Sequence, residues 1–127
     1  MENRPRVTDR GPSAGTSDVW TISTDPIWRG AELVGFSVEA IDGGIGKIDE
    51  ATEETGRAHL IVDTGPWIFG KKVMLPAGVV ERVDYDSETV FVRRSKDEIK
   101  NAPEFDPDAS RDDERYRKRL GTYYGDF

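Results

Sequence analysis

AIDGGIGKIDE, residues 40–50, decides how this chain is read. Its three glycines ahead of Lys47 look like a cradle for phosphate, and the neighbours argue against that reading. A phosphate loop of the Gly-x-x-x-x-Gly-Lys type needs Ser or Thr after the lysine to hold magnesium. Ile48 stands there, and no glycine lies five residues before Gly46. A dinucleotide loop opens a helix, whereas this run opens a polar strand. Asp42-Gly43 is instead a hairpin signal, because glycine accepts the positive φ that such turns require. The expectation is a sheet corner built from Asp42, Gly43, Gly44 and Gly46, with Lys47 facing solvent.

Period-two patterning continues on both sides of the corner. Upstream, Val34, Phe36, Val38 and Ala40 share one face of a strand expected over residues 33–40. Downstream, the turn Glu54-Thr55-Gly56 leads to a run with Ala58, Leu60 and Val62 on one face. Arg57, His59, Ile61 and Asp63 take the other. A loop over residues 64–70 enters Lys72-Val73-Met74-Leu75-Pro76, and two further apolar runs flank the turn Asp84-Tyr85-Asp86-Ser87. About six short strands with Gly or Asp at the corners predict an all-β fold, a small, partly open antiparallel β-barrel. No βαβ spacing appears, which argues against a parallel nucleotide-binding sheet.

After the strands the pattern becomes helical. Ser95-Lys96-Asp97-Glu98 matches a capping box, and Pro103 limits the helix to a few residues. Ser110 is the expected cap of a last helix running through Asp112 to Leu120, with basic residues in its final turns and Gly121 as its stop. These are the short C-terminal helices of the predicted fold. Three parts follow: a disordered tail over residues 1–19, a domain over 20–105, and a linker, helix and aromatic tail over 106–127.

Composition limits what such a domain does. Of 127 residues, 35% are hydrophobic and 34% charged, and the net charge is −7. Phosphate binding needs a concentrated positive face, so this balance argues against a general affinity for nucleic acid. There is no cysteine, hence no disulfide and no thiolate metal site. No apolar run nears the ~20 residues of a membrane span. The start, Met1 to Arg6, does not read as a secretory signal. A cytoplasmic location is the expectation.

Residue by residue, catalysis finds no constellation. His59 is the single histidine and reads as a partly exposed structural residue. The carboxylates of 84–88 and 106–110 alternate like the start of a calcium loop but lack its later glycine and glutamate, so turn and cap chemistry explains them. Asp49, Glu50, Glu53 and Glu54 read as a solvated acidic edge. No catalytic residue, cofactor or metal is expected. Trp67, Ile68 and Phe69 at a hairpin tip are costly in water, so they either fold back over an open barrel end or form a contact surface with another chain. Tyr123 and Tyr124 in the tail pose the same choice. These five are the candidate protein contacts.

In their order, these motifs resemble the PRC-barrel family, which includes the cytoplasmic barrel of the photosynthetic reaction-centre H subunit and a barrel of ribosome-maturation factors. The resemblance rests on the strand 33–40, the corner Asp42-Gly43-Gly44 and the strand Ile45-Gly46-Lys47-Ile48-Asp49. It continues through Thr55-Gly56-Arg57, Lys71 to Pro76, Val90-Phe91-Val92 and the helix before Pro103. It covers roughly residues 31–105. What it implies is a barrel without catalytic residues that acts as a docking or assembly module. The expectation is therefore a protein partner, with self-association as a homodimer. The alternative is an RNA- or ribosome-associated assembly factor using Arg93, Arg94 and the run Arg115-Tyr116-Arg117-Lys118-Arg119.

Overall fold

Alternating apolar residues produce six strands: β1 (Ser37–Ala40), β2 (Gly43–Thr52), β3 (His59–Asp63), β4 (Lys72–Pro76), β5 (Val80–Asp84) and β6 (Thr89–Val92). Three helices join them: α1 (Gly30–Leu33), α2 (Lys96–Lys100) and α3 (Glu114–Gly125). This computed structural model describes residues 19–24, 27–68, 71–108 and 112–125. Apart from Val19, the tail expected over residues 1–19 lies outside that set, and so do Phe69 and the expected cap Ser110.

The strands form one sheet in the order β4-β3-β2-β1-β6-β5. Every neighbouring pair is antiparallel except β1–β6, which is parallel, with Val38 opposite Val90. The sheet is therefore mixed, a correction to the all-antiparallel expectation. The cause is the connection between β4 and β5. Instead of a hairpin, a 3-10 turn at Ala77–Val79 carries the chain onward without reversal. It thereby links the two outermost strands of the sheet. A flat six-stranded sheet would hold its edges about 24 Å apart, while a 3-10 turn of three residues advances the chain only about 6 Å. The sheet must curl until its edges approach at this turn, yet β4 and β5 do not pair, so it stays open.

The opening motif is a corner, as its residues require, with two adjustments. Ala40 pairs with Gly43, so the two-residue loop is Ile41-Asp42 and the glycines begin β2. Asp42 Oδ1 accepts a hydrogen bond from Lys96 N at 2.8 Å, which ties the corner to α2. Gly46 is not a turn residue. It sits within β2 at φ +149°, and a Cβ there would fall 2.0 Å from the carbonyl oxygen of Asp63. Only glycine lets β2 and β3 approach this closely.

Further differences from the sequence reading have local causes. Residues 30–33 are helical, Gly35 adopts φ +92°, and Val34 is 52% exposed, so the first strand begins only at Ser37. β3 is buried from His59 to Val62, on both faces. One face joins the apolar core with Leu60 and Val62. On the other, the His59 ring stands edge-on to Trp20, centroids 6.3 Å apart. Trp20 also anchors the strap that precedes the sheet, where Ala58 N donates to Trp20 O and Gly78 N to Val19 O. His59 is thus buried, where partial exposure was expected. β2, read as an acidic edge, lies inside the sheet between β1 and β3.

The capping box forms as read: Glu98 N donates to Ser95 Oγ at 3.1 Å, and Ser95 N donates to Glu98 Oε1 at 2.9 Å. α3 is longer than expected, and Gly121 lies inside it, buried. A Cβ on Gly121 would stand 2.7 Å from Trp20 Nε1, so this glycine serves close packing and does not end the helix. Tyr116, Leu120 and Tyr124 recur every four residues and form the buried stripe. Asp113 Oδ1 accepts from Arg115 N and Tyr116 N, so a carboxylate just before α3 satisfies its first free amides. The basic residues lie in the first half of α3 and none in its last turn.

Candidate functional site

The outer strands of an open sheet carry unpaired main-chain groups, so the β4 and β5 edges are where an added segment can pair. Alternate side chains of a strand point to opposite faces. Lys71, Lys72, Val73 and Met74 nevertheless all line one groove of about 300 Å³, which therefore runs along the edge of β4. Its opposite wall comes from α2 and the segment behind it, through Ile99, Ala102, Pro103 and Phe105. Tyr124 of α3 and Ile68 of the β3–β4 loop also line it. A second cleft of about 400 Å³ shares Lys71, Lys72, Glu104 and Phe105 and continues past Asp106 and Pro107.

The groove has an apolar interior and a charged mouth. Lys71 pairs with Glu104, and Lys72 Nζ donates to Asp49 Oδ2 at 2.7 Å, a hydrogen bond that raises the Lys72 pKa. Lys100 makes no ion pair among the described residues. Tyr124 is 1% exposed, and burial pushes its phenol well above the usual tyrosine range. Its hydroxyl has no hydrogen-bond partner among the described residues. The other tyrosines of α3 differ: Tyr116 Oη donates to Pro103 O at 3.2 Å and Tyr123 Oη to Glu98 O at 2.7 Å.

The expected contact residues are therefore divided. Trp67 and Ile68 are half-buried, with Lys96 Nζ 5.2 Å from the Trp67 ring centroid. Ile68 belongs to the groove, and Phe69 lies outside the described residues. Tyr123 is half-buried and packed on the core, and Tyr124 is buried, so neither forms an exposed aromatic tail. Val73, Met74, Ile99 and Phe105 were not singled out in the sequence. They come from separate segments, and the only local signal was the apolar content of each.

A polar cleft of about 190 Å³ lies beside His59, with Glu50, Glu54, Arg57, Asp112 and Arg117 on its walls. His59 Nδ1 is 2.8 Å from Arg57 O, which fixes the donor on that nitrogen. Arg117 Nη1 donates to Glu114 Oε2 at 2.8 Å, and Arg57 Nη2 to the same carboxylate at 3.0 Å. Of the basic residues named for RNA binding, Arg93, Arg94 and Arg117 hydrogen-bond within the fold, whereas Arg115, Lys118 and Arg119 are exposed. Arg93 Nη1 donates to Gly78 O and Nη2 to Val80 O, at 3.2 and 3.3 Å. Arg94 Nη2 donates to Tyr124 O at 2.7 Å. Among the described residues, no group of three or more His, Asp or Glu side chains is placed to hold a metal ion. No helix among them is long and apolar enough to cross a membrane.

No family model matches this chain, and no curated protein matches it. Among solved structures it is similar to RimM of Pseudomonas aeruginosa, a protein assigned to 16S ribosomal RNA processing. The two share 22% sequence identity over 59% of this chain and 48% of that one, with a TM-score of 0.48. The chain spans about half the length of that protein.

Proposed function

We propose that this chain is a non-catalytic, PRC-barrel-like docking module of the cytoplasm, whose contact site is the groove beside β4. One observation carries the reading: the unpaired edge of β4 opens onto an apolar groove of about 300 Å³. Main-chain groups at such an edge supply affinity for an added segment, and adjoining pockets supply selectivity. The family part rests on motif order, since the corner, the Thr-Gly-Arg turn, the lysine strand and the capped helix follow one another along one curled sheet. The ribosome-associated alternative keeps Arg115, Lys118 and Arg119 in solvent, while Arg93, Arg94 and Arg117 hydrogen-bond to groups of the fold.

Capture from lysate of the source cell, with wild type and Val73→Arg side by side, tests the reading. Val73 is half-buried at the groove, so the arginine fills it while the strand keeps its pairing. The expected result is a partner held by the wild type and lost by the variant, with unfolding midpoints within a few degrees. A partner held equally by both overturns the assignment of the groove. A turnover that disappears with His59→Gln overturns the non-catalytic reading.

A further inference from the structure

We infer that the groove takes an extended peptide with an apolar centre and acidic flanks, and that Tyr124 supplies its buried hydrogen-bond donor. The inference rests on the docking reading and adds the chemistry of the partner. Tyr124 lines the groove, is 1% exposed, and carries a hydroxyl without a partner among the described residues. A buried hydroxyl in that state costs about 1–3 kcal/mol. The hydroxyl is itself closed to water, so a carbonyl of an incoming segment removes the penalty once the Tyr124 ring turns toward the groove. Because burial raises its pKa, the phenol keeps its proton and acts as donor throughout the physiological range.

Two further features select the class of peptide. Four successive residues, Lys71 to Met74, border the groove, so a segment lying in it runs along the main chain of β4 and must be extended. The cavity of about 300 Å³ beside Val73, Met74, Ile99 and Phe105 accepts an apolar side chain. At the mouth, Lys100 has no ion pair among the described residues, while Lys71 and Lys72 hold theirs in exposed pairs that exchange readily. In a chain of net charge −7 this cluster of three lysines favours acidic flanks. Glu104 and Asp106 stand beside Lys71 and Lys72, so the acidic flank is directed at Lys100.

Two fluorescein-labelled peptide amides provide the test: Glu-Val-Leu-Val-Glu and its lysine-flanked counterpart, Lys-Val-Leu-Val-Lys. Anisotropy reports affinity, and amide shifts report position. The acidic peptide is expected to shift Val73, Met74 and Lys100 and to outcompete the basic one. Tyr124→Phe removes only the hydroxyl and should weaken binding about threefold to tenfold, the worth of one hydrogen bond. Its unfolding midpoint should be unchanged or higher, because a buried unpartnered group is gone. Lys100→Glu should weaken the acidic peptide and strengthen the basic one, more at low salt than at high.

Equal binding of both peptides, or full affinity in Tyr124→Phe, overturns the assignment of ligand class. So does the absence of β4 shifts with either peptide at millimolar concentration. In each case, loss of the lysate partner in Val73→Arg still upholds the docking reading, so the two failures are separable. A dimer seen in sedimentation and abolished by Val73→Arg would place a second copy in the groove, which also overturns the peptide assignment.

Discussion

At the β5 edge, the Arg93 guanidinium donates to the carbonyls of Gly78 and Val80 and to Ser23 Oγ, while Glu81 and Arg82 stand in solvent. The pairing with β6 is also bulged between Val80 and Arg82. At the β4 edge, no side chain among the described residues hydrogen-bonds to the main chain of Lys72–Pro76, and the strand faces an apolar groove. The two edges belong to one sheet and are joined by a three-residue turn. A bulge and occupied carbonyls are means by which sheets discourage unwanted pairing. Their concentration at one edge marks the other as the edge left available.

The strongest way to break this comparison is Gly46→Ala. Its Cβ would fall 2.0 Å from Asp63 O at φ +149°, so β2 and β3 must separate, and β3 carries β4. Backbone strain and overpacking together should cost about 3–5 kcal/mol, read as a lower denaturation midpoint. The β4 groove should be lost first, with the β5–β6 hairpin retained longer in hydrogen exchange. Next in size is Gly121→Ala. The new methyl meets Trp20 Nε1 at 2.7 Å, and overpacking of about 1–3 kcal/mol is partly offset by about 1 kcal/mol of helix propensity. The net loss of stability should centre on α3 and the strap, which together cover the side of the sheet carrying β3. An unchanged midpoint would mean that Trp20 is free to move aside.

Arg93→Ala sharpens the comparison at the guarded edge. Its hydrogen bonds there are partly exposed, so the stability change should be modest, about 1 kcal/mol. The larger signal should be association: sedimentation should show concentration-dependent dimers or aggregates absent from the wild type. If the variant stays monomeric at high concentration, the guanidinium is not what guards β5.

How much of this was legible in the sequence depends on the distance over which each residue acts. Ser95 and Glu98 cap a helix using each other, and the chain turns within two residues ahead of Gly43. The cap and the existence of the corner were therefore readable, although the turn falls at Ile41-Asp42. Gly121 was read as a helix stop because glycine commonly is one, but its role is set by Trp20, far away in the chain. That error left Tyr123 and Tyr124 in an apparent tail, when the helix in fact carries Tyr124 into the core. The parallel β1–β6 pair was hidden for a similar reason. Its direction depends on whether the chain reverses at Pro76–Val80, and a 3-10 turn there has no distinctive local pattern. The groove needs β4, α2, α3 and a loop together, so no single segment announces it.

The smallest expected effect separates the edges by acid. The turn that begins beyond β5 is held by a carboxylate: Asp84 Oδ1 accepts from Asp86 N at 3.0 Å and Ser87 N at 3.2 Å. These bonds hold the Asp84 pKa below its ordinary value, with the Ser87 amide the largest cause. The loop leading into β4 is held by a neutral group, the buried Thr64 hydroxyl, 2.8 Å from both Ile68 O and Lys71 O. A depressed carboxylate pKa stabilises the fold above its unfolded value, and the contribution is lost as pH falls through the folded value. Lowering the pH through the carboxylate range should therefore speed hydrogen exchange at Asp86 and Ser87, relative to intrinsic rates, while Thr64 and Lys71 keep their protection. Asp84→Asn, which still accepts a hydrogen bond, should remove most of the acid dependence at that turn. Equal acid sensitivity in both loops would show that the two ends of the sheet are held by the same kind of interaction, contrary to the geometry.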